Sequence, residues 1–152
     1  MKLSFENQTA IITRAASGLG LAMAKSLSSY GVRLALIDKN TDAFVSLKGK
    51  LNGVPYAVDI TREEEVKQVI GKIGKEHGRI DILINSAGIT GVTNIKSHET
   101  STENVRQVFD VNFMGSYYTS KYVLPWMLKK NYGRILHIAS IAGKEGNAGM
   151  LA

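Results

Sequence analysis

TRAASGLG, Thr13 to Gly20, joins the apolar run Ala10, Ile11 and Ile12 to a segment with helical spacing. It reads as a strand, a tight glycine turn and a helix start. Such a junction aims backbone N–H groups and the positive end of the helix dipole at one place, which suits a phosphate diester. A dinucleotide site is the reading it suggests. Gly18 and Gly20 supply two glycines of a GxGxxG pattern and Met23 stands where the third would be, so the motif alone specifies little.

Outward from this turn, apolar runs of four to six residues recur: Ala10 to Thr13, Val32 to Ile37, Val54 to Val58, Ile80 to Ile84 and Ile135 to Ile138. They are rich in Val, Ile and Leu and nearly continuous, as parallel strands buried on both faces are. Between them lie segments with helical spacing: Leu19, Ala22, Met23, Leu27 and Tyr30; then Phe44, Leu47 and Leu51; then Val66, Val69, Ile70 and Ile73. Gly31 and Gly78 are placed to stop the first and third helices. Thr61 is placed to cap the third, whose first turn carries Glu63, Glu64 and Glu65. After the fourth strand come a polar loop, Ser86 to Asn94, helical sequence from about Thr102 to Leu128, and a basic turn, Lys129 to Arg134. The alternation predicts right-handed crossovers and an α/β fold with a doubly wound, Rossmann-type parallel sheet. The sheet is expected to be truncated after the fifth strand, as one incomplete domain over residues 1–152.

Composition narrows the classes. The 152 residues are 44% apolar and 21% charged, an ordinary globular balance. With no cysteine, disulfides, thiolate chemistry and cysteine-ligated metals are excluded, and no metal site is expected. MKLSFENQTA has no apolar signal core and no apolar run is long enough to span a bilayer, so a cytoplasmic chain with no membrane partner is expected. The formal charge of +6 would suit a polyanion. Lys25, Lys48, Lys72, Arg106 and Lys129 are scattered, however, which favours a solvated surface over nucleic-acid binding.

Asp38 closes the second strand, 20 positions after Gly18. That is where a dinucleotide-binding βαβ unit places the carboxylate that accepts hydrogen bonds from the ribose hydroxyls. The bland alternative is a turn aspartate before Lys39 and Asn40. A carboxylate here repels a 2′-phosphate and argues for NAD, with NADP not excluded because Lys39 is adjacent. Asn112 lies in an otherwise apolar helical stretch, where a buried amide needs partners. His137, in the apolar fifth strand, reads as a core histidine. Tyr117, Tyr118, Tyr122 and Trp126 read as packing on a long helix.

With these residues in place the chain resembles the N-terminal part of a short-chain dehydrogenase/reductase, and the resemblance covers essentially all of it. Thr13, Arg14, Gly18 and Gly20 are similar to the TGxxxGxG motif; Asp59 in AVDIT to the adenine-contacting aspartate; Asn85, Ser86, Ala87 and Gly88 to NNAG; Asn112 and Ser140 to the catalytic asparagine and serine. The order of segments is similar to 3-oxoacyl carrier-protein reductases and related sugar or polyol dehydrogenases. The resemblance implies hydride transfer between NAD and a secondary alcohol or ketone. In it Thr13, Arg14, Ser17, Gly18, Leu19, Gly20, Asp38, Asp59, Ile60, Asn85, Ala87 and Gly88 would hold the cofactor. Ser140 would hydrogen-bond the substrate oxygen and Asn112 would position a water in a proton relay. A homo-oligomer built through the long helix is a further implication.

Two departures stand out. Arg14 replaces a glycine; if the position needs a left-handed backbone, the strain is about 1–3 kcal/mol. A guanidinium there could instead reach a phosphate. In the family the serine is followed by YxxxK, whose tyrosine is the general acid/base, and by the family's spacing that tyrosine would fall just beyond Ala152. Positioned proton transfer is worth roughly 10²–10⁴-fold, so the chain alone is expected to be inactive, with an exposed apolar fifth strand and either poor solubility or a stabilising partner. A non-catalytic dinucleotide-binding or interaction module is the alternative, and an RNA-binding protein finds no basic stripe to support it.

Overall fold

Each of the five apolar runs forms a strand: β1 (Thr9–Thr13), β2 (Arg33–Asp38), β3 (Gly53–Ala57), β4 (Ile82–Asn85) and β5 (Arg134–His137). The computed structural model describes residues 5–40, 42–45 and 49–152. Every pairing is parallel and the spatial order is β3-β2-β1-β4-β5, the doubly wound arrangement expected from the sequence. The helices are α1 (Gly18–Ser29), α2 (Asp42–Val45), α3 (Glu63–His77), α4 (Thr102–Phe109) and α5 (Gly115–Lys129). Leu47 and Lys48 lie outside the described residues, so the second helical pattern is seen only at Asp42–Val45.

The two-residue period of the strands sorts the core into two layers. Ile11, Ala35, Ile37 and Leu83 pack with Val66, Val69, Ile70 and Ile73 of α3 and Val123 and Met127 of α5. Their sequence neighbours Ala10, Ile12, Leu34, Leu36 and Ile84 face the other way and pack with Ala24 of α1 and Phe44 of α2. Burial on both faces is what makes β1 and β2 read as unbroken apolar runs. The outer strands differ from that expectation. In β3 Val54 is exposed, and Pro55 sits where a missing N–H is harmless because the strand is an edge. In β5, the opposite edge, Leu136 is 46% exposed.

Helix ends follow local chemistry. Gly78 takes the left-handed conformation, φ 70°, and stops α3; Gly31, at φ 80°, follows α1 and donates its N–H to the Ser28 carbonyl. Thr61 does not cap α3 as expected: Arg62 occupies that position without a side-chain bond, and the Thr61 hydroxyl donates to Asp59 at 2.7 Å. The long helical stretch is also not uniform. Asp110–Met114 forms a π turn between α4 and α5, with the Gly115 N–H reaching back to the Asp110 carbonyl.

At the N-terminal edge of the sheet, Asp81 is fully buried. It accepts the Thr9 N–H at 2.9 Å and forms a forked pair with Arg79, the shortest N–O distance being 2.6 Å. No helix of the described residues is long and apolar enough to cross a membrane.

Candidate functional site

The order β3-β2-β1-β4-β5 puts a topological switch point between β1 and β4, whose chains leave toward opposite faces of the sheet. In open α/β sheets ligands lie in the crevice that opens there, at the carboxyl ends of the strands. The glycine turn after β1, Asp38 at the end of β2 and the Asn85–Gly88 segment after β4 all border it.

The turn is tightly made. Arg14 and Gly18 have positive φ, 50° and 53°. The Arg14 position is therefore in the left-handed region that a side chain adopts only at a cost. Gly20 has no room for a side chain, since a Cβ there would meet the Arg14 carbonyl oxygen at 2.3 Å. Asp38 holds the turn from the side: Oδ2 accepts the Ala16 N–H and Oδ1 the Asn40 N–H, each at 3.0 Å. The second bond is the turn-aspartate geometry considered from sequence, so Asp38 has that local role whatever else it does. Ser17, the residue before α1, forms no side-chain cap, and Ser17, Gly18 and Leu19 are exposed. The start of this twelve-residue helix thus lies beside the crevice with no side-chain cap on its first N–H groups.

Thr13 joins the two sides. It is buried, and its Oγ1 accepts the N–H groups of both Ser86 and Ala87 at 3.0 Å. Arg14 makes a second tie, with Nη1 donating to the Gly88 carbonyl at 2.6 Å. Asn85, 2% exposed, anchors the end of β4 to α5: its Oδ1 accepts the Thr119 hydroxyl at 2.7 Å, and its Nδ2 donates to Ser120 Oγ at 3.3 Å. Thr119 was not singled out from sequence, although Gly115, Thr119, Val123 and Met127 form a buried stripe at four-residue spacing in which Thr119 is the polar member.

Just beyond the end of β2, Lys39 and Asp59 form an ion pair at 2.8 Å. Burial raises the Asp59 carboxyl, but hydrogen bonds from Lys39 and Thr61 outweigh it and hold the group below its ordinary range. The same hydrogen bond raises Lys39. Ile60 is buried and packs against Gly115, where an added Cβ would lie 2.5 Å from Ile60 Cδ1.

Asn112 corrects the expectation of a buried amide. The residue is exposed, yet both ends of its side chain are used: Oδ1 accepts the Ile89 N–H at 2.8 Å and Nδ2 donates to the Ile89 carbonyl at 2.9 Å. The π turn supplies the backbone on which Asn112 meets the loop after β4. Ser140 is exposed and starts a single 3₁₀ turn, Ile141–Gly143, its Oγ accepting the Ala142 N–H at 3.2 Å. Among the described residues no hydrogen bond joins Ser140 to Asn112. His137 is exposed too, and not a core histidine; its Nδ1 lies 3.2 Å from Asn85 Nδ2. Of the helix aromatics, Trp126 packs on Gly74 of α3 and the Tyr122 hydroxyl donates to Glu63 at 2.8 Å, while Tyr117 is exposed. Among the described residues no group of acidic and histidine side chains has the arrangement of a metal site.

Comparison with known proteins matches the same elements. The family model described as short chain dehydrogenase covers residues 8–152. The chain is 37% identical over 144 residues to a protein of Sphingomonas sp. (strain SKA58) named 2-dehydro-3-deoxy-L-rhamnonate dehydrogenase (NAD(+)), covering 94% of this chain and 57% of that one. It is 32% identical over 155 residues to the 3-oxoacyl-[acyl-carrier-protein] reductase FabG of Thermotoga maritima, covering 97% and 61%. A crystal structure of NAD⁺-bound xylitol dehydrogenase superposes with a TM-score of 0.91 at 29% identity, over 97% of this chain and 58% of that one. The chain therefore spans about three-fifths of the length of these relatives. Sheet order, glycine turn and family model agree, and this chain belongs to the short chain dehydrogenase family.

Proposed function

We propose that this chain is the dinucleotide-binding portion of an oxidoreductase that acts on a secondary alcohol or ketone with NAD(H). The observation that carries the reading is the convergence of the uncapped α1 N-terminus, Asp38 and the Asn85–Gly88 segment on the β1/β4 crevice. The donor set fits the ligand: free helix N–H groups suit a pyrophosphate, and the Asp38 carboxylate has lone pairs left for ribose hydroxyls after its two backbone bonds. When bound, the nicotinamide supplies or accepts the hydride.

NAD(H) is preferred over NADP(H) in this reading. The Asp38 carboxylate opposes a 2′-phosphate, and the neighbouring Lys39 is already paired with Asp59. Asp59 and Ile60 would border the adenine, and Ser17, Gly18, Leu19 and Gly20 the pyrophosphate. Ser140 keeps its hydroxyl hydrogen free to donate to a substrate oxygen, because Oγ is an acceptor toward Ala142. Asn112 acts by fixing the loop at Ile89 and, with its remaining donor and acceptor capacity, by positioning a water.

No tyrosine follows Ser140 in these 152 residues, so the acid/base of the family's YxxxK motif is not among them. We expect no measurable dehydrogenase turnover from this chain alone, and an alcohol or ketone substrate and a homo-oligomer only for a chain that includes the motif. The second reading is a non-catalytic dinucleotide-binding or interaction module. Calorimetric titration with NADH and NADPH tests both: NADH binding with a weaker response to NADPH supports the dinucleotide site, and no binding to either by the folded chain overturns it.

A further inference from the structure

Arg14 stands where the family's motif has glycine, and its side chain does something a glycine cannot. Thr13 ties the floor of the crevice by accepting the N–H groups of Ser86 and Ala87 from a buried position. One residue further on, at the exposed mouth, Arg14 crosses from the β1 turn to the β4 loop and donates to the Gly88 carbonyl at 2.6 Å. The two loops are neighbours because β1 and β4 pair in register, Ile12 beside Ile84. The guanidinium therefore spans the switch-point crevice in which a dinucleotide has to lie. Its acceptor is a neutral carbonyl, and the side chain is directed at the facing loop. The left-handed backbone at φ 50° sets that direction, and few side chains tolerate it.

We propose that Arg14 is an affinity-determining latch across the nucleotide crevice, which must release Gly88 before a nicotinamide dinucleotide can be seated. The inference rests on the dinucleotide reading above and deepens it: the turn binds, and its arginine weakens that binding. Part of the cofactor's binding energy is used to break the Arg14–Gly88 bond, and the side chain has to leave the space between the loops.

The test uses the 152-residue chain and two variants. Arg14→Gly removes both the guanidinium and the strained backbone; Arg14→Asn removes the guanidinium but suits a left-handed φ. NADH affinity is measured by calorimetry, and amide hydrogen exchange of residues 86–92 is measured without nucleotide. The latch predicts that both variants bind NADH tighter, on the order of fivefold to tenfold, and that exchange in the β4 loop speeds up in both. Unchanged or weaker binding in both variants overturns it, weaker binding marking Arg14 as a phosphate ligand instead. Tightening in Arg14→Gly alone also overturns it, because relief of backbone strain would then be the cause. If neither the wild-type chain nor either variant binds NADH while circular dichroism reports a native fold, the dinucleotide reading fails. Faster loop exchange in the same samples would identify that failure separately, by confirming the bridge without a ligand.

Discussion

The Asp38 carboxylate accepts the Ala16 N–H at 3.0 Å, so the residue that closes β2 also holds the turn that leaves β1. One side chain thus couples two loops of the crevice, and its removal has two consequences. Asp38→Ala frees the Ala16 N–H and, on the proposed reading, removes the ribose acceptor. NADH binding is expected to weaken by about tenfold to a hundredfold in calorimetry. Unchanged affinity would leave Asp38 with the turn alone.

Gly20→Ala tests the close approach inside the same turn. An added Cβ would lie 2.3 Å from the Arg14 carbonyl oxygen and 3.1 Å from that of Thr13, and backbone cannot give way as a flexible side chain does. The expected cost is about 1–3 kcal/mol, read as a lower melting temperature. Gly71→Ala in α3, where a Cβ meets nothing within 4 Å, is the control and should not melt earlier.

Thr13→Val keeps the shape of the side chain and removes the acceptor of two N–H groups, those of Ser86 and Ala87. Thr13 itself is buried, so the loss is expected to cost about 1–3 kcal/mol in denaturant unfolding. Amide exchange at Ser86 and Ala87 should accelerate, with little change in β2.

The Asp59–Lys39 pair makes part of the stability depend on pH. Because the Asp59 carboxyl lies below its ordinary value in the folded chain, the pair contributes fully above the unfolded value of about 3.9. That contribution is lost as pH falls through the lower, folded value. Lys39 is raised, so its share is complete below the unfolded lysine value and is lost only in strong alkali, as pH rises through the folded value. Melting temperatures followed from about pH 5 down to about pH 2, which spans the unfolded value and the region below it, should fall less steeply for Asp59→Asn than for the wild-type chain. Parallel curves would exclude the pair as the cause.

Arg79→Ala provides a perturbation remote from the crevice. It leaves the fully buried Asp81 carboxylate with the Thr9 N–H but without its cation. Breaking such a pair costs about 3–5 kcal/mol when both partners are buried and less here, since Arg79 is 35% exposed. A lower melting temperature with NADH affinity unchanged below it is the expected result.

What the sequence by itself determined is the architecture and its punctuation. Strands buried on both faces must be apolar at consecutive positions, so β1, β2 and β4 were legible as unbroken runs, and Gly31 and Gly78 marked helix ends because side chains disfavour the left-handed backbone there. The glycine turn and Asp38 were legible because their spacing along the chain is fixed by one βαβ crossover, whereas the Asn85–Gly88 segment was legible only through its likeness to the family's NNAG motif. Only the tertiary structure decided where side chains on different elements meet. Thr61 had the right type for a cap, yet it lies one residue before the cap position, which Arg62 takes, and its hydroxyl donates to Asp59. His137 looked interior because its neighbours are apolar, but β5 is an edge strand. Asn112 finds its partners in Ile89, and Arg14 in Gly88, across sequence separations of 23 and 74 residues. Such bonds depend on strand order and on a φ value, and neither leaves a local trace in the sequence.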